Sequence, residues 1–327
     1  MSRTRLVAPY LALLASIFAD LAAGRADAAA TSYTITEIAP PPGANGYSPT
    51  DINNKGQVVG VASFPNSDAN AAQPYLYSNG AMTAVGSPVN IAENVGINNN
   101  GQIWNAGHVP FPAHNGINDA GQQIAGNTLT TGGKTITLDG FSAYAINNQG
   151  QIAGETALSP TSNNLGHVAI YQDGKVTDLS ASLGLLGTAG GAYGLNDRGD
   201  LIYQTIDPHG KLYNGIRYAD GHAQSYTFEA AALNNLGQVV GGDHLYQDGK
   251  TVTLESLLPP SSQSFWGNLN AMAINDAGQI VGMGSDGSRY VAFLMTPAST
   301  PEPSALALLV VAGAAFGVRA GARRLRH

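Results

Sequence analysis

One phrase dominates this chain: Ile-Asn-x-x-Gly-Gln, followed by apolar residues and often a second glycine. It occurs as INNKGQVVG from Ile52, INNNGQIWNAG from Ile97, INDAGQQIAG from Ile117, INNQGQIAG from Ile146, LNDRGDLIY from Leu195, LNNLGQVVG from Leu233 and INDAGQIVG from Ile274. The intervals are 45, 20, 29, 49, 38 and 41 residues, four of them close to the period of a propeller blade. In such a phrase the Asn suits the first position of a type I turn, where its side chain accepts a backbone N–H. The Gly suits the left-handed position that follows. Each copy therefore predicts a hairpin, turning at Asn53 and Gly56, Asn98 and Gly101, Asn118 and Gly121, Asn147 and Gly150, Asn196 and Gly199, Asn234 and Gly237, and Asn275 and Gly278. Gly282, later in the last copy, suits a bulge or a close backbone approach.

A second phrase falls between most copies: YLYSNGAMTAV from Tyr75, VAIYQDGKVTDL from Val168, GIRYADGHAQSY from Gly215, HLYQDGKTVTL from His244 and, more weakly, TLTTGGKTITL from Thr128. Two β-rich halves flank an Asn-Gly, Asp-Gly or Gly-Gly pair, the chemistry of a type I′ hairpin turn. Two hairpins per period make four strands. The expected fold is thus an all-β propeller of about six four-stranded blades, with an irregular β-solenoid as the alternative. Seven copies of the first phrase leave room for a seventh blade, degenerate between 96 and 126, where GQIWNAGHVPFPAHNGIND is too short for a full second hairpin. Closure is also legible. The last copy is followed by only half a second hairpin, RYVAFLMTP, and YTITEI from Tyr33 stands ahead of the first copy as KVTDL stands ahead of the one at Leu195. Tyr33 to Ile38 should therefore pair with 290–295 and close the ring.

These alternating phrases resemble the HAF-type extracellular repeat, with His167-Val168-Ala169-Ile170-Tyr171 and Val291-Ala292-Phe293-Leu294 nearest its namesake strand. The resemblance spans about 33–297. It implies a propeller-like exported protein and supplies no activity.

Both ends read as targeting segments. Arg3 and Arg5 precede an apolar run over 10–19, and Ala26 and Ala28 bracket an A-x-A-like cleavage site, so 1–28 has the layout of a secretory signal helix. That layout implies Sec-type export. At the other end Pro301, Glu302 and Pro303 precede an uncharged run over 304–318, then Arg319, Arg323, Arg324 and Arg326. This ending resembles the PEP-CTERM sorting signal of exopolysaccharide-producing Gram-negative bacteria. The resemblance implies that 298–327 form a hydrophobic sorting helix recognised and removed by an exosortase; an ordinary transmembrane anchor is the alternative. The propeller would then occupy 29–297.

Without the leader and the segment after Pro303, 8 basic and 20 acidic residues remain, a net charge of −12 that argues against nucleic-acid partners. The absence of cysteine fits export without disulfides.

Individual sites are less forthcoming. Most INxxGQ turns carry one acid or none, too few for calcium, and the GQIVGMG run lacks the Lys-Ser/Thr of a phosphate loop and the order of a dinucleotide fingerprint, so no metal or cofactor is expected. His108, His114, His167, His209, His222 and His244 read as exposed loop histidines, and no nucleophile elbow is present. Asp119, Glu155, Asp197, Glu229, Asp243 and Asp276 leave open a glycan-active enzyme with carboxylates at the propeller mouth. The repeat is interrupted over 64–73, 104–114 and 256–268, which carry Trp104 and Trp266; exposed indoles there would stack on sugars, whereas buried ones would plug the core. The expected function is a non-enzymatic envelope or matrix module that binds exopolysaccharide or matrix protein, or serves structurally.

Overall fold

The INxxG turns all lie at one end of a circular array of antiparallel sheets, each turn joining the first and second strands of its sheet. The computed structural model describes residues 32–65, 71–90, 95–105, 116–156, 166–185 and 188–298. The signal segment, the Pro-Glu-Pro motif and the arginine tail fall outside these residues, as do His108 and His114.

Numbering sectors by their turns, sector 1 contains Gly46–Ile52, Val58–Ser63, Ala71–Ser78 and Ala81–Ala84, with Val89–Asn90 added beside the third strand. Sector 4 has Phe141–Ile146, Ile152–Thr156, His167–Gln172 and Lys175–Asp178; sector 5 has Ala189–Leu195, Leu201–Ile206, Leu212–Arg217 and Ala223–Tyr226. Sector 6 has Ala232–Leu233, Val239–Gly241, His244–Gln247 and Lys250–Thr253. In sector 3 the strands Gln123–Ala125, Thr128–Thr131 and Lys134–Thr137 are joined on the inside by a bridge from Ile117 to Gln123. These five and the closing sheet below are six blades, and the expected propeller is correct. The seventh copy of the phrase makes sector 2, a hairpin of Val95–Ile97 and Ile103–Asn105. The irregularity thus falls in the stretch between 96 and 126.

Sector 7 closes the circle. Gly267–Ile274, Ile280–Ser285 and Tyr290–Pro297 come from the end of the described chain, and Tyr33–Ile38 from its beginning, in register from Tyr33 opposite Pro297 to Ile38 opposite Ala292. The pairing is the one expected from YTITEI. Closure covers the edge of Tyr290–Pro297 and seats Tyr33, 1 % exposed, between sectors 6 and 7. Burial there pushes its phenol up to about 12. Deleting 32–38 should leave that strand edge unpaired and turn a monomer into self-associating material in sedimentation velocity; a monodisperse deletion variant would show that closure is dispensable.

Hydrophobic burial runs between consecutive sheets. Separate apolar clusters join sectors 1 and 2, 3 and 4, 4 and 5, 5 and 6, 6 and 7, and 7 and 1. Between sectors 2 and 3 the Trp104 indole takes this part. It is 5 % exposed, and a Cβ on Gly116 would stand 2.1 Å from its Cη2. Among the described residues sector 2 has no outer strands with which to fill a wedge of space, and a bicyclic ring supplies volume there.

The second-phrase turns follow their dipeptides. Asn79-Gly80, Gly132-Gly133, Asp173-Gly174 and Asp248-Gly249 all have positive φ at both residues, as type I′ requires. The Asp220-Gly221 turn corrects the expectation. Only Gly221 is positive, and Tyr218 N–H bonds His222 O across a longer turn of the INxxG kind. Its side-chain stack of Tyr218 on His222, centroids 4.2 Å apart, accompanies that geometry. The glycine late in the first phrase also has a physical reason. At Gly282 a Cβ would lie 2.1 Å from Asn270 O, beside the register shift between Ala271 and Ala273.

Candidate functional site

The turn end is built from two closed circles of hydrogen bonds. In the first, each turn Asn is nearly fully buried and uses both ends of its amide. Asn234 Oδ1 accepts the N–H groups of Leu236 and Gln238, while Nδ2 donates to Gln238 Oε1 and to the carbonyl of Asn275 in the next sector. The same donation to a neighbouring carbonyl runs from Asn53 to Asn98, Asn98 to Asn118, Asn118 to Asn147, Asn147 to Asn196, Asn196 to Asn234 and Asn275 to Asn53, at 2.9–3.0 Å. Only a carboxamide has a donor for the next turn and an acceptor for its own, which explains why Asn stands at this position in every copy. The turn Gly is doubly required: Gly56 has φ +71°, and a Cβ there would meet Gln279 Oε1 at 3.2 Å.

The second circle uses the next residue along. Asn54, Asn99, Asp119, Asn148, Asp197, Asn235 and Asp276 each accept, on Oδ1, the backbone N–H of the preceding sector's equivalent. Each Asp also takes amide protons on Oδ2 from the asparagines on both sides: Asp119 from Asn99 and Asn148, Asp197 from Asn148 and Asn235, Asp276 from Asn235 and Asn54. Acid and amide alternate, and with an odd membership one amide pair, Asn54 beside Asn99, is unavoidable. These residues surround an axial cavity of about 100 Å³. Every carboxylate oxygen of the circle accepts a hydrogen bond, so Asp119, Asp197 and Asp276 brace the turns. Among the described residues no group of three or more His, Asp or Glu side chains is placed to hold a metal ion.

Sequence reasoning missed Asp51. It precedes Ile52 where the other copies have Gly or Ala, and it is buried at 7 % exposure against the same cavity. Its Oδ2 accepts Ile97 N–H at 3.0 Å and its Oδ1 accepts Ile52 N–H, while Thr50 Oγ1 donates to Val95 O at 2.5 Å. Side chains of sector 1 thereby hold the backbone of the short sector 2 hairpin. Burial pushes the Asp51 carboxyl up to about 7, against the pull of its two N–H donors. A folded value above the unfolded one means that the stabilising contribution is full below about pH 4 and is lost as pH rises through 7. The unfolding free energy of the wild type relative to Asp51→Asn, from urea titrations, should therefore fall between pH 5 and pH 7.5, by at most about 1.4 kcal/mol per pH unit, and level off above. Parallel profiles for the two proteins would refute a buried, titrating Asp51.

The other end carries the open polar features. There the second strand of sector 4, the first and second strands of sector 5 and the linker into sector 6 converge. A cleft of about 320 Å³ is lined by Glu155, Gly166, Ala189, Gly190, Tyr193, Gln204, Thr205, Ile206 and Leu212. A smaller hollow beside it shares Tyr193 and Gln204 and adds Asn214 and Glu229. Burial, then the neighbouring Glu155 carboxylate, raises the Tyr144 phenol, and its ring lies 5.0 Å from that of Tyr193. Desolvation, then the nearby Glu155 and Glu229 charges, raise the Tyr193 phenol. Gln204 Nε2 donates to Asn214 Oδ1 at 3.0 Å, and its Oε1 is an acceptor.

Of the six acids considered from sequence, Glu155 lines this cleft and Glu229 the adjoining hollow. Asp243 instead pairs with His244, 2.7 Å away. The expectation of exposed loop histidines holds for His209 and His222, but His167 and His244 open strands, are partly buried and contact Asp178 and Asp243. The tryptophans offered as ligand-facing are corrected: Trp104 is the wedge described above. Trp266, 8 % exposed, stands edge-on to Phe293 at 6.2 Å inside the cluster between sectors 6 and 7. Neither has a free ring face, because each fills volume that the strands around it leave empty. The exposed aromatic of that segment is Phe265, at 57 %.

No protein-family model and no curated protein matches the chain. Solved structures do resemble it in fold. The β-propeller domain of the Trilobed protease from Pyrococcus furiosus is 10 % identical, with a TM-score of 0.47 over 80 % of this chain and 98 % of that one. A catalytically inactive virginiamycin B lyase from Staphylococcus aureus, crystallised with quinupristin, is 12 % identical, with a TM-score of 0.41 over 81 % and 99 %.

Proposed function

We propose that this chain is an exported repeat protein of the cell envelope or extracellular matrix, and that its propeller binds a partner there without transforming it. The observation that carries the reading is the inequality of the two ends. At the turn end polar groups are consumed in bracing one another, whereas the opposite end presents a cleft with a carboxylate, an amide, a phenol and exposed apolar side chains. Loops carried on a rigid scaffold are the usual seat of binding. The signal-like 1–28, the PEP-CTERM-like ending and the acidic balance support export through Sec-type machinery, retention of a precursor in the inner membrane and removal of the tail by an exosortase. Exopolysaccharide and matrix protein are the partners such a route would bring within reach. Among the described residues no helix is long and apolar enough to cross a membrane; the sorting segment lies outside them.

Two measurements test this. Intact mass spectrometry of envelope and matrix fractions should find a chain lacking 1–28 and 304–327, and a full-length membrane species as the sole form would refute processing. Glycan arrays and pull-downs from matrix extract should recover a partner, and silence in both would remove the binding role.

A further inference from the structure

The cleft between sectors 4 and 5 has the chemistry of a particular ligand class. Its polar lining is rich in acceptors: the Glu155 carboxylate, the Gln204 carbonyl oxygen and, in the adjoining hollow, the Glu229 carboxylate. Among the described residues no Lys or Arg lines either space. The Tyr193 ring, its centroid 5.0 Å from that of the buried Tyr144, adds an aromatic surface to both spaces. Ile206 and Leu212, directly opposite each other across their ladder and 41 % and 56 % exposed, form an apolar rim.

An independent observation comes from Thr205. Among the described residues three buried side-chain polar atoms lack a hydrogen-bond partner, namely Tyr47 Oη, Arg217 Nε and Thr205 Oγ1. Thr205 is 2 % exposed and lines this cleft. Strand alternation sets it on the face shared with Leu201 and Tyr203, which pack on Ala145 and Val168 of sector 4, so its hydroxyl points into the gap that holds Glu155 and Gly166. An orphaned hydroxyl in such a place costs stability unless something occupies it. Space is kept open by glycine: a Cβ on Gly166 would stand 2.6 Å from Glu155 Oε2, and one on Gly191 would stand 3.3 Å from Glu155 Cβ.

The geometry points to a binding site for an organic primary ammonium, its charge beside Glu155 and the Tyr193 ring with Glu229 in the adjoining hollow, an N–H group reaching Thr205, and its carbon skeleton over the Ile206 and Leu212 rim. Ammonium groups have donors and no acceptors, which complements an acceptor-rich lining, and they are drawn to aromatic faces. The acidic surface of the domain favours their approach. Two sources share this chemistry, an aliphatic diamine and an amino sugar with a free amine. The inference rests on the proposed binding role and names its ligand.

Calorimetric titration of the full-length chain with cadaverine, glucosamine and N-acetylglucosamine tests it. Cadaverine, glucosamine or both should bind, identifying the source, and N-acetylglucosamine, whose amine is neutralised without loss of the ring, should bind at least ten-fold more weakly. Glu155→Gln and Glu229→Gln should each weaken the bound amine about ten-fold and Thr205→Val about three-fold, with thermal melts showing each variant folded. The wild-type comparison stands even where a variant fails to fold. No binding of either amine, equal binding of N-acetylglucosamine, or wild-type affinity in folded Glu155→Gln would overturn the assignment. Capture of a neutral polysaccharide alongside any of those results would leave the matrix-binding role standing without it.

Discussion

Trp104→Ala should be among the most destabilising single substitutions in this protein, costing about 3–5 kcal/mol in urea unfolding. The loss combines transfer of a large buried side chain with a cavity that sector 2 is badly placed to collapse. Elsewhere in the ring a sheet meets its neighbour with a cluster of apolar residues; among the described residues the sector 2 to sector 3 gap is filled by one ring. The reverse change should fail for the complementary reason. Gly116→Val adds carbon where a Cβ would already stand 2.1 Å from the indole, so the ring must leave its wedge or the inner segment of sector 3 must move. Trp104→Leu paired with Gly116→Ala should be less damaging than the sum of the single changes, since the smaller side chain vacates the space that the added methyl needs. Strict additivity, or a loss below about 1 kcal/mol for Trp104→Ala, would refute the wedge.

Asn234→Ala should cost about 3–4 kcal/mol, an unusually large effect for a polar residue in a turn. It removes two hydrogen bonds that shape the turn and two donated by the amide, one of which crosses to the next sector, and it leaves the Leu236, Gln238 and Asn275 backbone groups to be satisfied afresh. Asn234→Asp should be nearly as harmful, because it sets a carboxylate oxygen against the Asn275 carbonyl. Asn235→Ala, one residue on and in the more exposed circle, should cost about half as much. Urea unfolding monitored by tryptophan fluorescence orders the three, and an Asn234→Asp variant as stable as the wild type would show that the donation between sectors carries no weight.

The repeat was legible because it is local. A type I turn followed by a left-handed glycine, and an Asn-Gly or Asp-Gly type I′ turn, are decided within five or six residues, and their alternation counted the strands. The pairing of Tyr33–Ile38 with Tyr290–Pro297 was also legible, since an unpaired half-hairpin at one end called for its partner at the other. Asp220-Gly221 misled because the same dipeptide serves a longer turn when the strands reach it in another register. The tryptophans misled for a different reason. Interruption of a repeat marks a place where regular packing fails, and that place calls either for a ligand or for a large side chain, a choice that sequence spacing does not encode. Asp51 carried a signal that went unused: it is the one charged residue at a position otherwise held by Gly or Ala.

By itself, then, the sequence determined the unit, its strand count, its turn chemistry and its closure, all of which follow from short-range backbone preference and period. Only the tertiary structure decided what the turns do for one another. An amide that merely shapes its own turn and one that also donates to a turn 41 residues away read identically in the chain. Three-dimensional closure likewise placed Glu155, Tyr193, Thr205 and Glu229 around neighbouring spaces, although they come from two sectors and the linker into a third. Such a site is defined by distances across the ring, and no local pattern specifies those.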